Sequence, residues 1–446
     1  MASHEIERIK NAGIVGAGGA GFPSHVKLNA KAEVVVVNAA ECEPLIRVDQ
    51  QIIVTEMEYF LRGLEIAVAI TGAEEGIIAI KGKHKEAITA LKEAIRDKAN
   101  LSIHILDDFY PAGDEQVTLY EATGRQVPQG GIPIQVGAVV TNVETLINVA
   151  HAVDEDAPVV DTYVTVSGAV PRPVTVKVPV GITVREILGL AGIENAEEFG
   201  VIDGGPMMGG LITDYDEPVK KTSKAYIVLP KTHRLIRMRM MSMQEISKTT
   251  QSACIQCRYC TDLCPRYLLG HTIEPHRIMR ALKYGETNPD ILRMAFTCCE
   301  CGMCEQYACP AHMMPRTVNA QLKKVLSAKG LKPLDKPENQ TVNAARKGRR
   351  VPSKRIVSRL NLTQYDGPAP LNPDTIMFDK VKVPLKQHVG APCVPLVKVG
   401  DAVKRGAMIG GIPEKALGAP VHASIDGIVT EISDSVIVIG KGGAIQ

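Results

Sequence analysis

Apolar residues in the first third of the chain follow two alternating patterns. Short apolar runs occur in EVVVVN, which ends at Asn38, and in GIIAIK at 76–81, and each predicts a buried strand. LSIHIL at 101–106 predicts another strand. Between them, residues 57–67 and 84–97 carry apolar side chains at helical spacing. Strands that alternate with amphipathic helices predict an α/β layer on a largely parallel sheet.

The pattern changes in the rest of the chain. Residues 158–229 form β-rich runs with one short helical stretch, which predicts a small α+β domain. Residues 232–247 predict one basic, methionine-rich helix, and residues 315–330 predict another helix that ends near Gly330. The Pro-, Lys- and Arg-rich stretch after it predicts an extended basic connector that either packs over the domains or docks an anionic partner. Short β segments with glycine turns complete the chain.

These patterns divide the chain into five segments, which agrees with a length too great for one hydrophobic core. The predicted segments are an α/β domain at 1–155, an α+β domain at 156–231, a helical domain at 232–330, the basic connector at 331–376 and a β domain at 377–446.

Composition narrows the function classes. The formal charge of +2 gives no electrostatic case for nucleic acid binding. No run of 18 apolar residues predicts a membrane span, and the polar start MASHEIERIKNAG lacks the apolar region of a signal peptide. In such a chain, eleven cysteines indicate metal binding rather than disulfides, so we expect a reducing, cytoplasmic setting.

Nine of these cysteines form one cassette at 254–309. Its first half has the spacing C-x2-C-x2-C-x3-C-P of two-cluster ferredoxins, in which the fourth cysteine serves the other cluster. Structural zinc sites use two C-x2-C pairs instead of triplets that end in Cys-Pro, so we favour two [4Fe–4S] clusters over zinc. The predicted ligands are Cys254, Cys257, Cys260 and Cys309 for one cluster, and Cys298, Cys301, Cys304 and Cys264 for the other.

The second half of the cassette departs from this spacing twice. Cys299 stands beside Cys298, and one extra residue precedes Cys309. Either neighbouring thiol could be the first ligand. Only Cys298 has the x2 spacing to Cys301, so we predict that Cys298 binds the cluster and Cys299 is a spare thiol.

The stretch GIVGAGGAGFP at 13–23 is a glycine-rich loop before a predicted strand. Such a loop can bring backbone N–H groups to a phosphate, but it is equally often a tight turn. It does not match the Walker A motif, and Gly16, Gly18 and Gly21 meet the dinucleotide fingerprint only in part.

Four motifs in order make the loop more specific. GAGGAGFP with Lys27, NAAECEP at 38–44, YPAGDEQ at 110–116 and TNVETL at 141–146 resemble the flavin- and NADH-binding subunit of respiratory complex I, and more closely the RnfC component of the Rnf complex. The resemblance implies an FMN-binding α/β domain. The residues it assigns to FMN are Gly16, Gly18, Gly19, Lys27, Asn38, Glu41, Asn142 and Thr145.

The same resemblance places Phe22 and Glu43 against the nicotinamide nucleotide of NADH. Two positions depart from the family pattern. Ala17 stands where the family has an arginine in the glycine-rich loop, and Ala40 stands where complex I has an acidic residue.

The remaining segments extend the resemblance to nearly the whole chain. Residues 158–229 resemble the soluble-ligand-binding β-grasp insert of the same family, in which GGPMMGG at 204–210 is a typical turn. VGDAVKRGAMIG with HASIDGIV resembles a biotinyl- or lipoyl-type barrel-sandwich domain. Lys415 is not in a carrier-type motif, so we expect a docking module rather than a swinging arm.

The order flavin domain, β-grasp, two clusters and barrel-sandwich resembles the cobalamin reductases of propanediol utilisation. The resemblance implies an NADH-dependent oxidoreductase with FMN and two [4Fe–4S] clusters that reduces a corrinoid such as cobalamin. It also implies a setting in the cytoplasm or a bacterial microcompartment, with a corrinoid-handling enzyme as partner and a homo-oligomer or a complex as assembly.

Two alternatives remain open at this point. One is an Rnf-C-like component that delivers electrons to a partner reductase, such as a methylenetetrahydrofolate or proline reductase. The other is a non-catalytic electron-wiring adaptor that has lost NADH binding, which Ala17 and Ala40 motivate.

Overall fold

A computed structural model describes residues 2–284, 288–337, 339–374 and 376–441. The first module is a parallel four-stranded sheet in the order β3-β2-β1-β5. Its elements are α1 (Ala2–Asn11), α2 (Ser24–Leu28), β1 (Val34–Ala39), α3 (Asp49–Thr55), α4 (Met57–Thr71), β2 (Glu75–Lys81), α5 (Lys85–Ala94), β3 (Leu101–Leu106), β4 (Phe109–Tyr110), α6 (Glu115–Thr123), β5 (Ala138–Asn142) and α7 (Val143–Glu155).

Strands β1, β2 and β5 are buried on both faces, as the continuous apolar runs predict for β1 and β2, whereas the edge strand β3 is partly exposed. Val35 and Val37 of β1 pack in the core with α4 and α7, whereas Val34 and Val36 pack on the opposite face with residues of α6. Helices α4 and α7 can approach closely because Gly63 of α4 has no side chain. A Cβ at this position would lie only 1.9 Å from a backbone oxygen of α7. The predicted α/β layer is therefore confirmed.

The second module is a mixed sheet packed on one helix. Strands β6 and β10 pair in parallel at its centre, and the sheet order is β12-β7-β6-β10-β8-β9. One of its two edge strands, β12 (Leu371–Asn372), comes from the connector. Its elements are β6 (Asp161–Gly168), β7 (Val174–Pro179), α8 (Val184–Leu190), β8 (Phe199–Asp203), β9 (Gly210–Leu211) and β10 (Ala225–Pro230).

The third module is helical and contains the cysteine cassette. Its elements are α9 (Arg234–Met240), α10 (Met243–Ala253), α11 (Tyr259–Asp262), α12 (Pro265–Leu268), α13 (Pro275–Tyr284), α14 (Pro289–Arg293), a π-helical turn (Met303–Ala308) and α15 (Pro315–Ala328).

The prediction of one helix over 232–247 is wrong. The chain breaks after Met240, and Ser242 caps a new helix. The Ser242 hydroxyl accepts the Glu245 N–H at 3.2 Å, while the Glu245 carboxylate accepts the Ser242 N–H at 2.7 Å. This reciprocal capping box is the S-x-x-E signal of a helix start, and it was present in the sequence.

The connector is more structured than an extended linker. It contains β11 (Val351–Pro352), α16 (Ser353–Arg359) and β12 (Leu371–Asn372). β11 pairs with β4 of the first module, and β12 pairs with β7 of the second. The prediction of an extended segment is thus wrong in part, because backbone pairing with one strand of each module fixes the connector to both of them.

The last module consists of two small antiparallel sheets, β13-β19-β18-β15 and β14-β16-β17. Its apolar residues share one core with the second module. Its strands are β13 (Lys380–Pro384), β14 (Val394–Pro395), β15 (Ala402–Val403), β16 (Met408–Gly411), β17 (Val421–His422), β18 (Gly427–Ile432) and β19 (Val436–Gly440). The final residues of the predicted 377–446 segment, 442–446, lie outside the described residues.

Short 3-10 turns lie between these elements, and no helix in the described ranges is long and apolar enough to cross a bilayer. The 3-10 turns are Pro133–Val136, Ala196–Glu198, Met294–Thr297, Lys347–Arg349 and Thr363–Tyr365.

Candidate functional site

The glycine-rich loop lies at the carboxyl end of β5. The Ala17 N–H donates to Thr145 Oγ1 at 3.0 Å, and Thr145 belongs to the first turn of α7, directly after β5. The Gly16 N–H donates to the Phe22 carbonyl at 3.0 Å and closes the loop. Strand order reverses between β1 and β5, and ligands of open α/β sheets bind at such a point.

The loop has the space and donors that a phosphate-bearing cofactor requires. A Cβ at Gly19 would meet no atom within 4 Å. Asn142, at the start of the 13-residue helix α7, forms no side-chain hydrogen bond to the first turn. An open glycine loop beside an uncapped helix N-terminus fits the phosphate of FMN. The binding of FMN by these particular residues stays a prediction.

Lys27 and Asn38 are both fixed by the segment that contains YPAGDEQ. Lys27 Nζ donates to Glu115 Oε1 and to the Val140 carbonyl, each at 2.9 Å. Asn38 Nδ2 donates to the Gly113 carbonyl at 2.8 Å. The four motifs that lie apart in sequence thus meet around the ends of β1 and β5.

Glu41 and Glu43 are half-buried and have different partners. Glu41 Oε1 accepts the Asp49 N–H at 2.8 Å, whereas Glu41 Oε2 is buried and has no partner among the described residues. Burial raises the pKa of each carboxyl to about 7. Glu43 accepts the N–H groups of Met207 and Met208 at 2.9 and 3.0 Å, so it joins the first module to the GGPMMGG turn. Its contact with a nicotinamide nucleotide stays a prediction.

Phe22 is 36% exposed at the edge of the loop. The base of the loop is supported by Lys224, a residue that sequence reasoning missed. The Lys224 side chain is the nearest group to a Cβ built at Gly18, at 3.1 Å. Its ammonium pairs with Asp49 at 3.1 Å and also with Glu144. Burial lowers the pKa of Lys224, but the two carboxylates outweigh this effect and raise it above its ordinary value.

The cysteines of the cassette line two separate cavities. One is lined by Cys254, Cys257, Cys260 and Cys309, and the other by Cys264, Cys298, Cys299, Cys301 and Cys304. Each cavity therefore brings together a triplet and the fourth cysteine of the other half, which is the predicted crossed grouping. Four thiols around one cavity are the donor set that a [4Fe–4S] cluster takes.

The backbone of the two triplet loops repeats. Gln256 and Glu300, two residues after Cys254 and Cys298, have φ of 58° and 57°. Arg258 and Gly302, four residues after the same cysteines, have φ of 70° and 75°. Left-handed backbone is uncommon outside glycine, so the repeat identifies equivalent positions.

This register makes Cys298 the counterpart of Cys254 and leaves Cys299 at the position of Ile255. It supports Cys298 as the ligand. Cys299 also lines the cavity, so the assignment stays a prediction.

The extra residue before Cys309 is absorbed by a change of helix type. The third cysteine of each triplet lies in a different type of turn: Tyr259–Asp262, with Cys260, is α-helix, whereas Met303–Ala308, with Cys304, is a π-helical turn. A π turn accommodates one additional residue in a helical segment. The insertion therefore need not displace the cavity that Cys309 lines.

Two side chains connect the flavin motifs to the second cysteine cavity. The Tyr110 hydroxyl donates to the Cys301 carbonyl at 2.6 Å. Arg266, two residues after Cys264, donates to both oxygens of Asp114 at 2.6 and 3.0 Å. Neither residue was singled out from the sequence, although Tyr110 and Asp114 belong to the quoted YPAGDEQ motif.

Family models match three parts of the chain. The Nuo51 FMN-binding domain matches residues 9–151, the 4Fe-4S dicluster domain residues 253–314, and the RnfC barrel sandwich hybrid domain residues 374–444. The expected flavin, dicluster and barrel-sandwich domains are thus confirmed. The domain boundaries at 155, 231, 330 and 376 stay predictions.

Two curated relatives cover nearly the whole chain. The cobalamin reductases PduS of Citrobacter freundii and Salmonella typhimurium are each 46% identical to it, over 98% and 99% of this chain and 96% and 98% of theirs. The RnfC-type component of the Na(+)-translocating ferredoxin:NAD(+) oxidoreductase complex of Acetobacterium woodii is 35% identical over 58% of this chain and 57% of that protein. Among solved structures, an NAD+-reducing [NiFe]-hydrogenase in the H2-reduced state gives a TM-score of 0.48 at 20% identity, over 75% of this chain and 64% of that chain.

Proposed function

Because the chain belongs to the family of the cobalamin reductase PduS, we propose that it is an oxidoreductase that transfers electrons from NADH to a corrinoid. The observation that carries this proposal is the 46% identity over 98% of the chain, which includes the flavin motifs, the cassette and the terminal barrel. FMN would supply acceptance of an electron pair and release of single electrons, and the clusters would supply one-electron transfer.

The protein's own residues would bind and position these groups. The glycine-rich loop, Lys27, Asn38, Asn142 and Thr145 would hold the FMN, and eight of the nine cysteines that line the two cavities, all except Cys299, would ligate the clusters. Support for a short path between the two sites comes from contact between YPAGDEQ and the cassette, since Tyr110 contacts Cys301. The cavity with Cys264 and Cys301 would thus lie nearer the flavin motifs, and the cavity with Cys257, an exposed residue, would lie on the outer side.

The direct test is reduction of cob(III)alamin by NADH with the anaerobically purified protein. We expect about eight iron atoms and one FMN per chain, and conversion of the cobalamin spectrum on addition of NADH. Cys301→Ser should abolish cobalamin reduction, whereas the control Cys393→Ser, a buried cysteine of the last module, should retain it.

A protein that reduces artificial dyes with NADH but never cob(III)alamin would contradict the proposal. It would favour an electron-input component for a partner reductase, the function that the 35% identity to an RnfC-type protein also fits. Absence of flavin bleaching by NADH would favour the adaptor instead. The identity of a protein partner, the assembly and residence in a microcompartment stay predictions from the family resemblance.

A further inference from the structure

A large groove outside the predicted flavin site lies between the first module and the connector. Two cavities of about 370 and 720 Å3 share Arg47, Gln50, Lys83, His84 and Pro368 as lining residues, so they adjoin each other. The larger one is bounded by residues of α3, by the turn from β2 into α5 and by connector residues 368–371. We call this larger cavity the connector groove. Its volume is typical of a small-molecule site.

The connector groove is distinct from the predicted FMN site. None of its lining residues belongs to the glycine-rich loop, to NAAECEP or to TNVETL. Only the smaller, adjoining cavity reaches Glu41 and Glu43. A ligand in the connector groove would therefore not occupy the place assigned to FMN.

One side of the connector groove is formed by the turn after a strand and the start of the next helix, an arrangement that proteins use to bind phosphate. A parallel strand, β2, leads through a short turn into α5, a helix of ten residues. His84 stands at the cap position, and no side chain in the described ranges caps the first turn. The first-turn residues Lys85, Glu86 and Ala87 line the groove. Unpaired N–H groups at such a helix start attract anions.

The charges around this helix start favour an anion. Lys83 and Lys85 are exposed, and Glu86 is the one carboxylate among the lining residues. Asp108, which lines only the smaller adjoining cavity, forms ion pairs with buried Lys81 at 3.0 Å and with Lys83 at 3.6 Å. Arg47 is engaged by Asp366, so its charge is largely offset.

His84, which also lines the groove, has a ring nitrogen without a hydrogen-bond partner among the described residues. Its Nδ1 lies 2.7 Å from Gln50 Oε1, whereas its Nε2 is buried without a partner among the described residues. Burial and the neighbouring Lys83, Lys81 and Arg47 lower the pKa of His84 to about 4, so the ring is neutral at pH 7. A neutral ring can share one more hydrogen bond with a hydroxyl or amide of a ligand.

We propose that the connector groove binds the phosphate group of an organic ligand, with Lys83, Lys85 and the first turn of α5 as its donors. Two sources carry this chemistry together with hydroxyl or amide groups for His84. One is a free nucleotide, and the other is the phosphodiester of the nucleotide tail of a corrinoid, a source that rests on the proposed function.

Equilibrium dialysis of the cofactor-loaded protein tests the site with four probes: pyrophosphate, ADP, cobalamin and cobinamide, which lacks the nucleotide tail. The double variant Lys83→Gln/Lys85→Gln should weaken the binding of pyrophosphate about tenfold or more. The matched control Lys92→Gln, on an exposed position at the other end of α5, should leave it unchanged. Equal binding by the double variant and the control would overturn the proposal.

The same variant also distinguishes the two ligand sources from each other and the connector groove from the NADH site. If the double variant binds cobalamin more weakly but cobinamide as well as wild type does, the ligand is the nucleotide tail of a corrinoid. If the double variant loses only ADP binding, the ligand is a free nucleotide. The KM for NADH in dye reduction should stay unchanged in the double variant, and a parallel rise in that KM would instead make the groove part of the dinucleotide site and overturn the proposal. If wild-type protein never reduces cobalamin but the double variant still loses pyrophosphate, the proposed function fails and the groove assignment stands.

Discussion

The hydroxyl of Tyr110 lies 2.6 Å from the carbonyl oxygen of Cys301, so a side chain of the flavin module contacts a cysteine loop of the helical module directly. The same hydroxyl lies 3.3 Å from Glu43 Oε1, and Glu43 in turn accepts two N–H groups from the second module. Three modules therefore meet at one buried tyrosine. This junction defines how the predicted flavin site and the second cluster site are held relative to each other.

Tyr110→Phe should remove this link without removing a ligand. Because the Cys301 carbonyl would lose its donor in a buried position, we expect the free energy of unfolding to fall by about 1 to 2 kcal/mol. Iron content should stay the same. Chemical unfolding under anaerobic conditions measures the change. The control is Tyr59→Phe, which removes a surface hydrogen bond to Glu155 and should cost less than about 0.5 kcal/mol. Equal losses for both variants would contradict the role of the junction.

Cys298→Ser and Cys299→Ser test the register of the cassette. The repeated left-handed positions make Cys298 the equivalent of Cys254, so Cys298→Ser should lose one cluster and leave about four iron atoms per chain. Cys299→Ser should keep about eight. Iron analysis with electron paramagnetic resonance of the reduced protein distinguishes the two. The opposite result would reassign the ligand to Cys299.

Lys224→Met should destabilise the first module. Asp49 and Glu144 would be left as buried carboxylates without their counter-charge, a change that typically costs about 3–5 kcal/mol. Because Lys224 also supports Gly18, the variant should retain less FMN after gel filtration. The control Lys231→Met replaces an exposed lysine just after β10 and should change neither quantity. Full FMN occupancy and stability in Lys224→Met would exclude this supporting role.

The buried Lys221 should make the free energy of unfolding depend on pH. Its ammonium is buried between the carbonyls of Gly13, at 2.8 Å, and Pro420, at 3.0 Å, and burial lowers its pKa from 10.5 to about 7. Between these values the unfolded chain binds more protons than the folded one, so this residue makes the free energy of unfolding rise with pH from about 7 to 10.5. The slope from one such group is at most about 1.4 kcal/mol per pH unit.

The measurement is unfolding at pH 7.5 and pH 9 for wild type, Lys221→Met and the exposed control Lys386→Met. Lys221→Met should lack part of the rise that wild type and Lys386→Met show. The same slope in all three proteins would show that Lys221 keeps its proton in the folded state.

Most of the fold could be predicted from local patterns in the sequence. The strands at 76–81 and 101–106 and the helix in 84–97 were predictable because each is defined by its own apolar periodicity. The cysteine grouping was predictable because the spacing C-x2-C-x2-C-x3-C-P is typical of two-cluster ferredoxins, in which the fourth cysteine serves the other cluster. The break at Ser242 was visible as a capping box but was hidden by a continuous helical pattern around it.

The missed residues share a different property. Lys224, Tyr110 and Arg266 act through partners that are 67 to 191 positions away, and no periodicity links such positions. The connector was misjudged for the same reason, since its strands pair with sheets formed by residues far earlier in the chain. Long-range contacts of this kind arise only from the packed modules.

The π-helical turn at Met303–Ala308 shows that the cassette can change length between its ligands. The two halves keep the same left-handed positions while one carries an additional residue, so the ligand loops and the segments behind them vary independently. For protein engineering, this separates a fixed part from an adjustable part. Shortening the second half by one residue between Glu305 and Ala308 would restore the spacing of the first half. Because this segment joins Cys304 of one cavity to Cys309 of the other, the deletion would change the connection between the two cluster sites and not the triplet loops themselves.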